Sequence, residues 1–338
     1  MSRALVTGAT GFVGSNLVAY LRRLGWHVRG LVRDLARAVP LKDLGAELHL
    51  GHLGEAESVE RAGAGVDVIF HVAGRIRALS SSQFEIDNVV GTRHVMAAAA
   101  AIKKRPVVVY VSSLAAGGPS YRGAPRLESD LDQPISAYGR SKQAAERAAA
   151  DFAGEVPLSV VRPPIIFGEA DQASLAIFRG IRMTRLHPVP GLRKFSVSLV
   201  HVEDLCAAMV RIAEAGERVG QTDNGAARRG EGIYYASAER AISYRELGKL
   251  AGNALGCSAI PLPVPRAVFW VAGGVMEVVG QLRRQPGVLN LDKVREALAP
   301  GWVCSDEKIR RELGYRPAAT LEDRFAETVA WYRNHGWL

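Results

Sequence analysis

The sequence predicts a doubly wound α/β fold, a parallel sheet covered by helices on both faces, followed by a smaller, mainly helical C-terminal cap. Three observations predict it. Short apolar runs alternate with helical patterns through the first half of the chain. Two of those runs, residues 66–72 (VDVIFHV) and 107–111 (VVVYV), are continuous and β-branched, as strands buried on both faces are. A glycine-rich turn, TGATGFVG at residues 7–14, joins the first strand to the first helical pattern.

Taken in order, residues 4–6 read as a strand, and Val13, Leu17, Tyr20, Leu21 and Leu24 then recur at helical spacing. Residues 28–32 read as a second strand and 47–50 as a weaker third. Helical patterns occupy residues 55–62, 91–102 and 137–152. After Arg162-Pro163-Pro164 the rhythm changes. A helix is expected over 174–183, a turn at 188–191, a returning strand at 198–202, a helix over 203–214 and a mobile Gly-rich loop at 220–232. Helices follow at 243–255, 265–281 and 321–331, the last capped by Thr320. This divides the chain into a nucleotide-binding unit, residues 1–168 with a returning segment near 196–236, and a cap over 169–338.

Composition narrows the classes. The chain has 338 residues, 48% hydrophobic and 23% charged, which excludes a disordered or collagenous chain. Its 43 Lys+Arg against 34 Asp+Glu leave a net charge of +9. No block of five like charges exists, so no nucleic-acid partner is expected; the excess suits anionic ligands or a membrane surface. Cys206, Cys257 and Cys304 are odd in number and far apart, which argues against a disulfide framework and for a reducing, cytoplasmic setting. The apolar run 267–276 (AVFWVAGGVM) is half the ~20 residues of a membrane span. Its helical spacing reads first as core, with a pocket wall or a peripheral membrane contact as the other readings. His71 and His201, inside strand-like runs, read as core residues, and His187 as a residue that could face a pocket. No cluster of His, Cys, Asp and Glu suggests a metal.

Two constellations carry chemistry. Gly8, Gly11 and Gly14, between a strand and a helix, let the backbone approach a pyrophosphate whose charge sits at the helix N-terminus. An NAD site wants an acidic residue ending the second strand; here that strand ends Leu31-Val32-Arg33-Asp34. Arg33 can pair with a 2′-phosphate, a contact worth roughly 1.5–3 kcal/mol. NADPH is therefore the expected cofactor, with NAD as the alternative through Asp34. Tyr138 and Lys142 lie four apart in an Ala-rich helical stretch and so share a face. They follow the fifth strand, which ends Val111-Ser112-Ser113. A carbonyl accepting hydride develops negative charge on oxygen: Tyr138 would protonate it, Ser113 would hold it, and Lys142 would bind the nicotinamide ribose and lower the tyrosine pKa.

Together these motifs resemble the extended short-chain dehydrogenase/reductase family, in its epimerase/dehydratase branch. The resemblance runs over nearly the whole chain: TGATGFVG, FHVAG at 70–74, NVVGT at 88–92, VSS at 111–113, YGRSK at 138–142, RPPIIFG at 162–168, VHVEDL at 200–205 and LGYRP at 313–317. It implies a Rossmann-type fold with a C-terminal substrate-binding cap, and Ser113, Tyr138 and Lys142 as the catalytic set. It implies a cofactor site lined by Gly8, Thr10, Gly11, Phe12, Val13, Ala73, Gly74, Pro163 and Ile166, beside Arg33, Tyr138 and Lys142. His52 departs from the pattern, since Gly51-His52-Leu53 stands where many members have Gly-Asp-Leu. His52 and Leu53 stay candidate contacts on the adenine side.

Sugar-nucleotide members usually carry an arginine where this chain has Val197, although Arg193 and Lys194 could substitute. The segment from Pro265 resembles the apolar cap of hydroxysteroid dehydrogenase-like and 2-alkyl-3-oxoacid reductase-like members, and VRD resembles dihydroflavonol reductases. The leading expectation is an NADPH-dependent oxidoreductase acting on a ketone or secondary alcohol of a bulky apolar molecule. The alternatives are a sugar-nucleotide epimerase or dehydratase with tightly held NAD, and a non-catalytic cofactor sensor. In this family, helices such as 91–102 and 137–152 often pair subunits, so a homodimer is a further expectation.

Overall fold

The computed structural model describes residues 2–121, 124–191, 195–220, 229–285, 287 and 290–338. Strands β1 (Arg3–Thr7), β2 (His27–Val32), β3 (Glu47–Leu50), β4 (Val68–His71), β5 (Val107–Val111) and β6 (Leu158–Val161) form a sheet with the late strand Ile233–Tyr234. The order is Ile233–Tyr234, β6, β5, β4, β1, β2, β3, and every neighbouring pair is parallel. The direction of winding reverses between β1 and β4. That switch point opens a crevice at the strand C-termini, where ligands bind in this architecture.

Alternation along β1 shows why the sheet needs two covers. Ala4 and Val6 enter one core with Leu17, Val18 and Leu21 of the helix Phe12–Arg23 and with Leu205, Met209 and Ile212 of the helix Val202–Ala215. Leu5 enters the other, with Val59, Val95, Met96, Ala145 and Ala149. The second cover comes from the helices Ala56–Gly63, Gly91–Ala101 and Ala137–Ala150. The strand Leu158–Val161 is an element the sequence reading does not anticipate.

The chain after β6 departs further from expectation. It holds three two-stranded sheets among its helices: Ile165–Phe167 with Leu199–His201, Ser196–Val197 with Ile242–Ser243, and Leu186–Pro190 with Ile260–Val264. The turn expected at 188–191 is therefore mostly strand. Its prolines recur at every second position, Pro188 and Pro190 facing Leu262 and Val264, and Pro261 and Pro263 facing His187 and Val189. Each missing N–H then falls on one edge of a two-stranded ribbon, where no ladder bond is lost. Of the loop expected at 220–232, residues 221–228 lie outside the described residues. The core reading of 267–276 is overturned: the helix Arg266–Arg283 buries only Gly273 and Gly280.

One buried ion cluster anchors the helix Ala137–Ala150 to the sheet. Arg162, just past β6 and 1% exposed, donates to both Glu146 oxygens at 2.9 and 2.5 Å and to both Asp132 oxygens at 2.7 and 2.8 Å. Arg162→Ala should destabilise the fold by about 3–5 kcal/mol, because Glu146 is left buried without its cation. Urea denaturation of the purified variant measures this, and a loss below 1 kcal/mol would show the cluster to be dispensable.

Candidate active site

The turn after β1 is shaped by two close approaches. Gly8 has φ +68°, and a Cβ there would stand 2.8 Å from the backbone of Ala73. A Cβ on Gly14 would stand 2.1 Å from the Gly8 carbonyl oxygen, so the helix Phe12–Arg23 packs directly on the turn. Gly11 precedes that helix with extended backbone and no side-chain cap, and the first helical turn carries no acidic residue. The N–H groups there meet no competing carboxylate, which suits a pyrophosphate. Thr10 and Gly11 are exposed, and Phe12 and Val13 half-buried, at this mouth.

Across the crevice, β1 and β4 are tied by a buried relay. Thr7 Oγ1 accepts the Ala73 N–H at 3.2 Å and lies 2.8 Å from His71 Nδ1. His71 Nε2 lies 2.9 Å from Thr92 Oγ1, which donates to the Asn88 carbonyl at 2.6 Å. With the Thr92 proton committed to Asn88, His71 must donate through Nε2 and accept at Nδ1. Burial, then the charge of Lys142, pushes its pKa down to about 3, so it stays neutral. His71 is the core residue expected. His201 is one too: its Nδ1 accepts the Glu203 N–H at 3.4 Å, and burial lowers its pKa to about 4. His187 does not line a pocket; it is buried, with Nε2 3.0 Å from the Tyr244 carbonyl.

Ser113, Tyr138 and Lys142 come together at the end of β5. Ser113 caps the helix Leu114–Gly117, accepting the Ala115 N–H at 3.1 Å. Burial pushes the Tyr138 phenol up to about 12, a hydrogen bond with Ser113 opposes this, and the Glu296 carboxylate adds to it. Lys142, 3% exposed, donates to the Val111 carbonyl at 2.7 Å and lies 4.4 Å from the Tyr110 ring centroid. Burial pulls its ammonium down to about 7, partly offset by Glu146. Gly74 faces this lysine, since a Cβ there would stand 3.4 Å from Nζ.

The remaining predicted residues spread along the strand ends. Arg33, just after β2, is exposed and has no partner among the described residues. Asp34 is engaged locally, accepting the Ala36 N–H at 2.9 Å and standing 3.8 Å from Arg37. Both His52 nitrogens are also taken nearby: Nδ1 accepts the Gly54 N–H at 3.0 Å and Nε2 lies 3.0 Å from Glu55. Leu53 packs at Gly91. On the other flank, the Pro163 carbonyl accepts the Leu114 N–H at 2.9 Å, and Ile166 is half-buried in its strand. Arg193 and Lys194 lie outside the described residues. A cavity of about 390 Å³ beside Arg182, Arg185 and Arg333 shares no residue with this site.

Four neighbours were missed from sequence. Asn88, 1% exposed, accepts the Arg75 N–H at 2.6 Å and donates to Arg75 O and to Ser141 Oγ, linking the loop after β4 to the tyrosine helix. Its signal in the sequence is its place at the head of the NVVGT motif at 88–92. Asp292 accepts the Ala137 N–H at 2.5 Å, and Lys293 lies 5.0 Å from the Tyr138 ring centroid, paired with Glu296 at 2.6 Å. These three arrive on the helix Leu291–Ala297, far along the chain, and no local pattern marks them.

With this geometry established, the comparisons are decisive for the family. Residues 4–224 match the model of the NAD dependent epimerase/dehydratase family. The chain belongs to this family. It is 31% identical over 333 residues to a ceramide reductase of Caulobacter vibrioides, covering 98% of this chain and 95% of that protein. It is 30% identical over 331 residues to a 4-hydroxy-2-methyl-3-oxo-4-farnesyl-3,4-dihydroquinoline-1-oxide ketoreductase of Stigmatella aurantiaca, covering 94% and 93%. The fold matches that of a dTDP-glucose 4,6-dehydratase from Bacillus anthracis in complex with NAD, with TM-score 0.76 and 21% identity over 100% of this chain and 98% of that one. The chain is thus an NAD(P)-dependent oxidoreductase of the extended short-chain dehydrogenase/reductase type.

Burial of Lys142 has a stability consequence. Between about pH 7 and its ordinary 10.5, the unfolded chain binds a proton that the folded chain does not, so stability rises with pH across that window. Below it the penalty is full. Lys142→Met should therefore stabilise the ligand-free protein by on the order of 2–4 kcal/mol near pH 6, and the gain should fade by pH 10. Thermal melts of both proteins across this range measure it; an equal offset at every pH would contradict a buried, titrating lysine.

Proposed function

We propose that the chain is an NADPH-dependent reductase that interconverts a ketone and a secondary alcohol on a bulky apolar substrate. For the cofactor, the carrying observation is the contrast between Arg33 and Asp34. The guanidinium stands free at the end of β2 while the carboxylate is bound into its own turn. A 2′-phosphate meets an available cation there, whereas a bare ribose meets an acid already occupied.

The bound nicotinamide supplies the hydride. Tyr138 supplies the proton: with its phenol pKa pushed up to about 12, it is a filled donor at neutral pH, the state that reduction needs at the start. Ser113 holds the carbonyl oxygen by its hydroxyl while charge builds there. Lys142 is poised near neutrality, and its charged form favours the phenolate left after transfer. Asn88 and the Glu146–Arg162 pair act through others, by fixing the loop at Gly74 and the helix that carries Tyr138 and Lys142.

For the substrate, two observations favour an apolar molecule. Val197 is 1% exposed and packed in the cap, so no diphosphate-gripping cation projects from that strand position. The two similar reductases are named for a ceramide and a farnesylated quinoline oxide, both with long apolar chains.

Loss of nicotinamide absorbance, followed with NADPH over long-chain 3-oxo compounds and other bulky apolar ketones, tests the reading. Turnover should fall about 10²–10⁴-fold in Tyr138→Phe. Arg33→Ala should raise the KM for NADPH by about ten- to a hundredfold and leave that for NADH unchanged. Turnover of a UDP- or dTDP-sugar without net consumption of nicotinamide would overturn the proposal in favour of an epimerase or dehydratase.

A further inference from the structure

The helix Arg266–Arg283 presents an unusual outer face. Val268, Val271, Val275, Val278 and Leu282 are between 51% and 80% exposed, and their spacing of three and four residues puts them in one stripe. Trp270 and Met276 are exposed too. The opposite face explains why these side chains turn outward. Gly273 sits so near Val294 that a Cβ would stand 2.5 Å from Cγ2, and Gly280 lies as close as 3.1 Å to the Gln285 carbonyl by the same measure. Gly273 seats the helix on Leu291–Ala297, Gly280 lies against Gln285 and Gly287 just past the helix, and Gln281 Nε2 donates to the Leu79 carbonyl at 3.1 Å. The one acid of the helix, Glu277, is engaged there as well, accepting the Leu291 N–H at 3.0 Å. Apolar side chains thus form the outer stripe, and cations close both ends: Arg266 at one, Arg283 and Arg284 at the other.

We propose that this face is a membrane-docking surface, on which the helix lies flat in the headgroup region of an anionic bilayer. Charge favours a bilayer over a second copy of the chain. Two such helices packed antiparallel about a two-fold axis would bring Arg266 against the partner copy's basic end, Arg283 and Arg284, a like-charge meeting. Anionic headgroups complement both ends at once, and the net charge of +9 adds long-range attraction. Eighteen residues lying flat span about 27 Å, with the valines directed into the acyl boundary. No helix among the described residues is long and apolar enough to cross a membrane, so the contact is peripheral.

The surface adjoins the candidate active site. The helix rests on Leu291–Ala297, which holds Lys293 over the Tyr138 ring and Asp292 on the Ala137 N–H. A molecule dissolved in the bilayer would meet the protein beside the proton donor. The docking face nevertheless stands independently of the proposed reaction, and vesicle binding reads it without turnover.

Flotation of the full chain with phosphatidylcholine vesicles, with and without phosphatidylglycerol, tests the proposal. Binding is expected to the anionic vesicles and to weaken with added salt. Val271→Glu/Val275→Glu should reduce it at least tenfold, and Arg283→Ala/Arg284→Ala about fivefold for each arginine. Both variants should melt with the parent protein, since these side chains are exposed. Absence of flotation with anionic vesicles would overturn the proposal, as would flotation that neither variant weakens. So would a dimer, seen by light scattering, that Val271→Glu/Val275→Glu splits, because the face would then be covered by a second copy.

Discussion

The chemistry of this site depends on a buried cation that takes no part in it. Arg162 is fully enclosed, and its guanidinium is satisfied by four carboxylate contacts from Glu146 and Asp132. Glu146 belongs to the same helix as Tyr138 and Lys142, one turn beyond the lysine. The bidentate pairing fixes both the position and the rotation of that helix against β6, which a single hydrogen bond would not do. It also fixes a negative charge beneath Lys142, and that charge holds the ammonium higher than burial alone would leave it. The protonation state of the lysine therefore depends on a salt bridge built for the sheet.

The second constraint is distance across the switch point. Gly8, Gly14 and Ala73 crowd together at separations that tolerate no additional side-chain atom on either glycine. The Thr7–His71–Thr92 relay spans β1, β4 and the helix Gly91–Ala101 with directional bonds, and His71 carries no charge to relax them. Asn88 extends the tie to the Tyr138 helix through Ser141. The Gly8–Gly14 turn and Tyr138 are consequently parts of one hydrogen-bonded frame, although most of the central sheet lies between them in sequence.

What could be read from sequence follows from this division. Tyr138 and Lys142 are four apart on one helix, and Gly8, Gly11 and Gly14 lie in one turn, so local spacing carries their relation. The continuous apolar runs of β4 and β5 mark buried parallel strands for the same reason. Lys293 and Glu296 escape notice because their relation to Tyr138 exists only after the chain has crossed the cap. The ribbon at Leu186–Pro190 escapes because proline argues against a strand, and only its partner, with prolines in the complementary register, makes it harmless. For the helix Arg266–Arg283 the spacing puts core first but leaves a pocket wall and a membrane contact open. Amphipathic spacing shows that one face is apolar, but it does not say what that face meets.

The seat of that helix bears on the surroundings of Tyr138. The C-terminal part of the chain supplies three groups around Tyr138: Lys293 by the ring, Glu296 adding to the rise in the phenol pKa, and Asp292 bound to the backbone N–H just before it. All three ride on Leu291–Ala297, and this helix is in turn the seat of Arg266–Arg283. Burial is the main cause of the raised Tyr138 pKa, and Glu296 on this helix adds to it. The sheet brings Ser113, Tyr138 and Lys142 together at the end of β5, and the helix Leu291–Ala297 adds charged groups beside them.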